Sequence, residues 1–119
     1  MKKCVFVLED DDDLRELITY LLEDENYKVK TYPTASSFKE SILYEHPNLI
    51  LMDVRLPDGD GMEICASLKA DRKTAPIPII MMSAHLDFLN AKDLCEAEAF
   101  IPKPFDIDNL IQKVKQYAS

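Results

Sequence analysis

The stretch VFVLEDDDDLRELI, residues 5–18, decides the fold because it joins a buried strand directly to an amphipathic helix. Its first four residues are apolar, and a short apolar run of this kind is typical of a strand buried on both faces. The apolar residues after Asp13 recur at the spacing of one helical face, which predicts a helix. Five consecutive acids separate the two elements: Glu9, Asp10, Asp11, Asp12 and Asp13.

These acids divide into two groups with different expected roles. Asp11, Asp12 and Asp13 belong to the first turn of the helix, where acidic side chains favour the positive end of the helix dipole. Asp11 is expected to accept a hydrogen bond from a free backbone N–H group and so to cap the helix. Glu9 and Asp10 are left at the end of the strand.

Strands and helices continue to alternate along the rest of the chain. Further strands are predicted at 27–32, 48–52, 77–82 and 99–102, and helices at 14–25, 34–46, 61–71, 86–97 and 106–118. Five strand–helix units specify an α/β fold with a parallel sheet and helices on both faces. Because five units are too few for a closed eight-stranded barrel, we expect an open, doubly wound sheet with its functional crevice at the carboxyl ends of the strands.

The size and charge of the chain restrict its function. Its 119 residues, 47% of them hydrophobic, indicate one globular domain over residues 1–119 without an internal boundary. A net charge of -8 disfavours direct binding of nucleic acid. No apolar run approaches the roughly 18 residues of a membrane helix, and acids follow the N-terminus too soon for a signal peptide. We therefore expect a cytoplasmic protein that binds neither nucleic acid nor membrane.

Polar side chains stand where four of the five predicted strands end: Glu9, Asp10, Asp53, Ser83 and Lys103. Each acid taken alone fits a solvated loop residue as well as a site, but the whole set favours one site. Clustered carboxylates repel one another unless a proton or a cation neutralises them. Mg²⁺ prefers oxygen ligands such as these, so Glu9, Asp10 and Asp53 predict a Mg²⁺ site.

At these positions the sequence resembles the receiver domain of two-component response regulators, of the kind found in chemotaxis receivers. Four motifs carry the resemblance over essentially the whole chain: ED (9–10), LILMDVRLPDGDG (49–61), MMSA (81–84) and FIPKPF (100–105). The resemblance implies a flavodoxin-like, doubly wound (βα)5 fold, whose five-stranded parallel sheet has the strand order 2-1-3-4-5.

The resemblance also implies a role for each residue at the strand ends. Asp53 would be the phosphoacceptor, Ser83 would meet the phosphoryl group, and Lys103 would complete the site and precede its proline through a cis peptide. Mg²⁺ would be held by four ligands: Glu9, Asp10, Asp53 and the backbone carbonyl of Arg55. Gly59 and Gly61, the only glycines, follow Asp53, and we expect backbone angles there that other residues would not adopt cheaply.

Further residues take regulatory roles from the same resemblance. Phe100 stands where the family places its switching aromatic, so Ser83 and Phe100 are expected to respond together to phosphorylation. Arg55 and His85 occupy positions near the phosphoryl group, where side chains tune its lifetime.

The implied function is that of a phosphoacceptor switch in a two-component system. With Mg²⁺, Asp53 would take a phosphoryl group from a phosphohistidine of a sensor histidine kinase or a histidine phosphotransfer protein. The signal would leave through the face formed by the predicted fourth helix (86–97), fifth strand (99–102) and fifth helix (106–118), to an effector domain or a homodimer partner. The chain would act as an enzyme only in its own phosphorylation and dephosphorylation.

Two alternatives from other function classes stay open. A Mg²⁺-dependent phosphohydrolase also uses an aspartyl nucleophile, although such enzymes carry a second Asp two residues later, where Arg55 stands here. A degenerate receiver would act only as a binding module, which the presence of Asp53, Ser83 and Lys103 disfavours. The chain ends with its fifth helix, which fits a stand-alone receiver, a phosphorelay intermediate or a fragment of a longer regulator.

Overall fold

The computed structural model describes residues 2–84 and 95–118. Its main strands are β1 (Cys4–Leu8), β2 (Lys28–Tyr32), β3 (Leu49–Asp53), β6 (Ile79–Ser83) and β7 (Ala99–Pro102), and two short strands, β4 (Arg55–Leu56) and β5 (Gly59–Asp60), form a separate ribbon. The helices are α1 (Asp12–Asp24), α2 (Ala35–Ile42), α3 (Gly61–Ala70) and α4 (Ile107–Tyr117).

The five main strands form one parallel sheet in the order β2-β1-β3-β6-β7. Counted along the main sheet alone, this order is 2-1-3-4-5, so the predicted doubly wound α/β fold is confirmed. Because all five strands run in one direction, their carboxyl ends meet at a single edge of the sheet. The predicted convergence of the strand-end residues rests on this arrangement.

The sheet separates two hydrophobic clusters, and β1 contributes alternate residues to each. Phe6 and Leu8 pack into one cluster with side chains of α2 and α3, while Val5 and Val7 pack into the other with α1 and α4. All four side chains are completely buried. The apolar run at the start of the chain is therefore a strand covered on both faces, as its composition predicts.

Three apolar residues that the helical pattern places toward the core are instead exposed. Leu43 follows the last residue of α2 and points to solvent, because the helix ends before it. Leu17 on α1 and Ile107 at the start of α4 are also exposed, and both lie beside the carboxyl edge of the sheet. The pattern was therefore wrong for these side chains, and two of them add apolar surface next to the candidate site.

The predicted fourth helix, 86–97, falls largely outside the described residues, as does His85. Residues 95–97, which are described, are not helical. Within residues 2–84 and 95–118, no helix combines the length and the apolar character needed to cross a membrane.

Candidate functional site

The acidic loop between β1 and α1 separates capping acids from site acids, as the sequence predicts. Asp11 is the N-cap of α1, and its Oδ1 accepts a hydrogen bond from the backbone N–H of Leu14 at 3.0 Å. Glu9 turns inward and is completely buried, and its Oε2 accepts a hydrogen bond from the backbone N–H of Asp11 at 3.1 Å. Asp10 remains exposed at the mouth of the crevice.

Lys103 joins the ends of three strands. Its Nζ donates to Glu9 Oε1 at 2.5 Å and to Asp53 Oδ2 at 2.8 Å. The side chains of Lys103, Glu9 and Asp53 are 17%, 1% and 10% exposed, so these charges meet in a largely dry environment. The backbone N–H of Lys103 donates to the Ser83 carbonyl at 2.8 Å, and the peptide bond to Pro104 is cis, as the resemblance implied.

The pKa values of Glu9 and Lys103 are both raised, but burial is the cause for Glu9 and pairing with carboxylates is the cause for Lys103. Burial raises the pKa of Glu9, and the hydrogen bonds from Lys103 and from the Asp11 N–H only partly oppose that shift. For Lys103, burial works to lower the pKa, but the carboxylates of Asp53 and Glu9 outweigh it and hold the pKa above its ordinary value. The ammonium group therefore stays charged at neutral pH.

The acids at this edge fit a divalent cation. One carboxylate oxygen from each of Glu9, Asp10 and Asp53 lies within 4.8 Å of the others. Among the residues that the structure describes, none forms a hydrogen bond with the Asp10 carboxylate, which leaves both of its oxygens available. Three carboxylates in one place are an oxygen donor set suited to Mg²⁺.

Arg55 and Ser83 lie next to Asp53, on the same loop and on the neighbouring strand, whereas Phe100 lies further back, within β7. The backbone N–H of Arg55 donates to Asp53 Oδ1 at 3.1 Å, which brings the residue to the site. Ser83, at the end of β6, is almost completely buried on the strand next to the one that carries Asp53. Phe100 pairs with Met81 across β6 and β7 and is half-buried against the hydrophobic cluster that contains Phe6.

Gly61 is required by a close approach of two backbone segments, and the prediction of unusual backbone angles was wrong. Neither glycine has a positive φ. A Cβ atom added at Gly61 would lie 2.1 Å from the carbonyl oxygen of Asp53, which real side chains essentially never do. The N–H of Gly61 donates to the Val54 carbonyl at 2.7 Å, so α3 begins directly against the backbone that follows Asp53.

Two residues at this edge were missed by the sequence reasoning. Arg15 on α1 donates to the carbonyl of Glu9 at 3.0 Å and to the carboxylate of Asp12. Because residues three apart are neighbours on a helix, the sequence could have predicted the contact between Arg15 and Asp12. Asp58 accepts hydrogen bonds from the backbone of α2, and no local pattern could have revealed a contact across more than 20 residues.

The fold and the site together define a class of protein: an open, doubly wound α/β domain with a buried aspartate, a lysine paired to it and an acidic cluster at one edge of the sheet. The chain belongs to the response regulator receiver domain family, whose sequence model matches residues 5–115. The phosphoacceptor role is general for this family. Between the function classes considered above, this membership favours the switch over the phosphohydrolase.

Individual relatives agree with this assignment. Transcriptional regulatory protein CseB of Streptomyces coelicolor is 34% identical over 113 residues, which cover 93% of this chain and 47% of that protein. The phosphorylated cyanobacterial phytochrome response regulator RcpA is 26% identical, with a TM-score of 0.82 over 98% of this chain and 91% of that one.

The fold is also shared with the receiver domain of sensor histidine kinase PA1611 from Pseudomonas aeruginosa, whose crystal structure has a magnesium ion coordinated in the active-site cleft. That domain is 22% identical, with a TM-score of 0.88 over 99% of this chain and 98% of that one. The chain spans less than half the length of the curated relatives that it matches.

Proposed function

We propose that Asp53 accepts a phosphoryl group from a phosphohistidine of a sensor histidine kinase or a histidine phosphotransfer protein, in the cytoplasm and with Mg²⁺ as cofactor. The observation that carries the proposal is the pairing of the Asp53 carboxylate with the ammonium group of Lys103 beside two further acids. A structural ion pair needs no such excess of carboxylates. A divalent cation does use these further carboxylates as ligands, and the bound cation in turn offsets the negative charge of the phosphoryl group.

The chemistry requires a carboxylate nucleophile and positive charge around the phosphoryl oxygens. An Asp53 oxygen attacks phosphorus, the P–N bond to the donor histidine breaks, and the imidazole nitrogen leaves with the electron pair. Lys103 already contacts Asp53, so its ammonium group is placed to stabilise charge on the transferring group. Ser83, on the neighbouring strand, would donate its hydroxyl hydrogen to a phosphoryl oxygen.

Mg²⁺, when bound, would neutralise charge on the phosphoryl oxygens and on the acids. Glu9, Asp10 and Asp53 would hold it together with the backbone carbonyl of Arg55. Asp10 is the better candidate for direct contact, because both oxygens of Glu9 already accept hydrogen bonds, from Lys103 and from the Asp11 N–H. Glu9 would then act on the ion through water.

The surface beside the site favours a protein as the phosphoryl donor. A shallow depression of about 580 Å³ adjoins Lys103 and is lined largely by apolar side chains of α1 and of the loop after β7. Its apolar lining includes Leu14, Leu17, Phe105 and Ile107. A small phosphorylated metabolite would gain little from contact with this apolar depression, whereas an apolar helix face on a donor protein can pack against it.

Ser83 and Phe100 would carry the signal away from Asp53, toward β7, α4 and the predicted fourth helix, which lies largely outside the described residues. Contact of Ser83 with the phosphoryl group would open space that the half-buried Phe100 can enter, so one charge selects between two packings. An effector domain or a second copy of the chain would bind to this part of the surface. Arg55 and His85 would tune the phosphoryl lifetime. Amide shifts with and without beryllofluoride, in wild type and Ser83→Ala, test the coupling, which an unchanged response in the variant would refute.

The assignment of Asp53 is tested by phosphorylation with acetyl phosphate or phosphoramidate. Wild type should gain one phosphoryl group in the presence of Mg²⁺, and EDTA should prevent it. Asp53→Asn should gain none, because an amide is not a competent nucleophile, while the exposed control Asp24→Asn should behave like wild type. Intact-mass spectrometry measures the gain. Equal labelling of Asp53→Asn and wild type would refute the proposal.

A further inference from the structure

Arg15 holds the acidic loop from the helix side. Its guanidinium group donates to the backbone carbonyl of Glu9 at 3.0 Å and makes a longer contact of 3.4 Å with the carbonyl of Asp10. The other arm of the same group donates to the Asp12 carboxylate at 2.5 Å. One side chain thus bridges the two residues that end the strand and the first turn of α1.

Helix stability alone does not explain an arginine at this position. Arg15 lies one turn from the N-terminus of α1, where the helix dipole favours negative charge and disfavours a cation. Its ion pair with Asp12 is of little value, because the Asp12 side chain is 84% exposed. The Arg15 side chain itself is only 19% exposed, and its planar fork is directed at the loop backbone.

We propose that Arg15 is a positioning residue for the cation site: it fixes the backbone of the β1–α1 loop so that the Asp10 and Glu9 carboxylates meet the ion together. The inference rests on the proposed function, since it assumes that these acids bind Mg²⁺. Groups that orient metal ligands commonly change metal affinity by about 10- to 100-fold when they are removed. Arg15 orients the ligands through their backbone rather than through their carboxylates, which places it at the low end of that range.

Charge and positioning predict opposite results when Arg15 is replaced. If the guanidinium group acts only through its charge, it repels Mg²⁺, and its removal should tighten binding. If it acts by holding the loop, its removal should weaken binding because the carboxylates lose their fixed separation. Arg15→Lys separates the two effects, since lysine keeps the charge but cannot form the same fork of hydrogen bonds.

The experiment is a Mg²⁺ titration by isothermal calorimetry of the full chain in wild type, Arg15→Lys and Arg15→Ala. We expect Arg15→Lys to bind Mg²⁺ about tenfold more weakly than wild type. In Mg²⁺-free protein, the amide hydrogen of Asp11, which is bonded to Glu9 Oε2, should exchange faster in Arg15→Lys. Asp12→Asn is the matched control, because it removes only the exposed ion pair and should leave affinity within about twofold.

The results distinguish failure of this inference from failure of the proposed function. Wild type that binds no Mg²⁺, or binds it as well as Asp10→Asn does, would overturn the cation site itself. If wild type binds Mg²⁺ through Asp10 and Arg15→Lys binds equally well, only the role of Arg15 is wrong. Tighter binding by Arg15→Ala together with unchanged binding by Arg15→Lys would assign Arg15 a charge effect alone and overturn positioning.

Discussion

Two lysines stand at opposite edges of the sheet and meet different surroundings. At the carboxyl edge, Lys103 donates to the carboxylates of Glu9 and Asp53. At the amino edge, Lys69 of α3 donates to the Ala75 and Ile77 carbonyls at 3.1 and 2.8 Å and to Glu98 Oε2 at 3.0 Å. Both ammonium groups are largely buried, and the Lys69 side chain is 8% exposed.

The difference between the two edges lies in the balance of charge. Lys69 faces one carboxylate, and its three donors are matched by that group and two carbonyls, so one acid is paired with one lysine and no donor is left over. Around Lys103, the carboxyl groups of Glu9, Asp10 and Asp53 lie within reach of one another, so three acids share one lysine. The first arrangement fastens elements together. The second leaves acids without a lysine partner, which is the donor set that the proposed Mg²⁺ site would use.

Replacing each lysine with methionine should reveal the largest difference between the two edges, and the quantity that differs is the rate at which Asp53 is phosphorylated. Lys103→Met should accept a phosphoryl group from phosphoramidate at least about 100-fold more slowly, because a donor aimed at the transferring group is lost. Its Mg²⁺ affinity should rise, since an ammonium group no longer competes for the carboxylates.

Lys69→Met is the matched comparison for that rate, and it should remain within about twofold of wild type, since it touches nothing at the carboxyl edge. Initial rates from mass spectrometry, measured below the unfolding transition, decide the matter. Equal losses in both variants would mean that the two lysines do not differ in function.

The second contrast is in stability. Glu98 also accepts a hydrogen bond from the backbone N–H of Ile79 at 2.8 Å, so the Lys69–Glu98 pair ties α3 to the starts of β6 and β7. Lys69→Met leaves two carbonyls and a carboxylate without this partner and should lower the free energy of unfolding by about 2–4 kcal/mol. Urea unfolding measures it, with the exposed neighbour Lys73→Met as control. If Lys69→Met lowers the free energy of unfolding no more than Lys73→Met does, the structural role assigned to Lys69 is wrong.

The smallest effect concerns Asp58, an acid at the carboxyl edge that accepts hydrogen bonds from the backbone of α2. Asp58 accepts hydrogen bonds from the N–H groups of Ala35 at 2.7 Å and Ser36 at 3.0 Å, and these bonds lower its pKa below the ordinary 3.8. A lowered pKa stabilises the folded state above pH 3.8, and this stabilisation is lost as pH falls through the folded-state pKa.

Asp58→Asn should therefore have a lower melting temperature than wild type at pH 7, and the difference should shrink below pH 3.8. Phosphorylation of Asp53 should be unchanged by the substitution. Thermal unfolding followed across pH, with Asp24→Asn as reference, provides the comparison. A gap between Asp58→Asn and wild type that persists unchanged at low pH would show that ionisation of Asp58 is not its source.

The sequence by itself determined which residues at the ends of the strands meet at the carboxyl edge. The apolar runs ending at Leu8, Met52 and Met82 predict parallel strands, and the residue that follows a parallel strand must lie at that edge. The cap at Asp11 is equally local, because a helix N-terminus offers free N–H groups within three residues of the capping side chain. Such features depend on neighbours in the chain, whose spacing the backbone geometry fixes.

Only the tertiary structure decided how the assembled groups pair. The burial of Glu9 against Lys103, the contact of Gly61 with the Asp53 carbonyl and the anchoring of Lys69 to Glu98 each join segments distant in the chain. Such contacts depend on how helices and strands pack. The distances between such residues follow from the volumes of all the side chains packed between them. The spacing of apolar residues along the sequence contains no information about those volumes. The pairing of Lys103 with both Glu9 and Asp53 therefore becomes visible only in the packed structure.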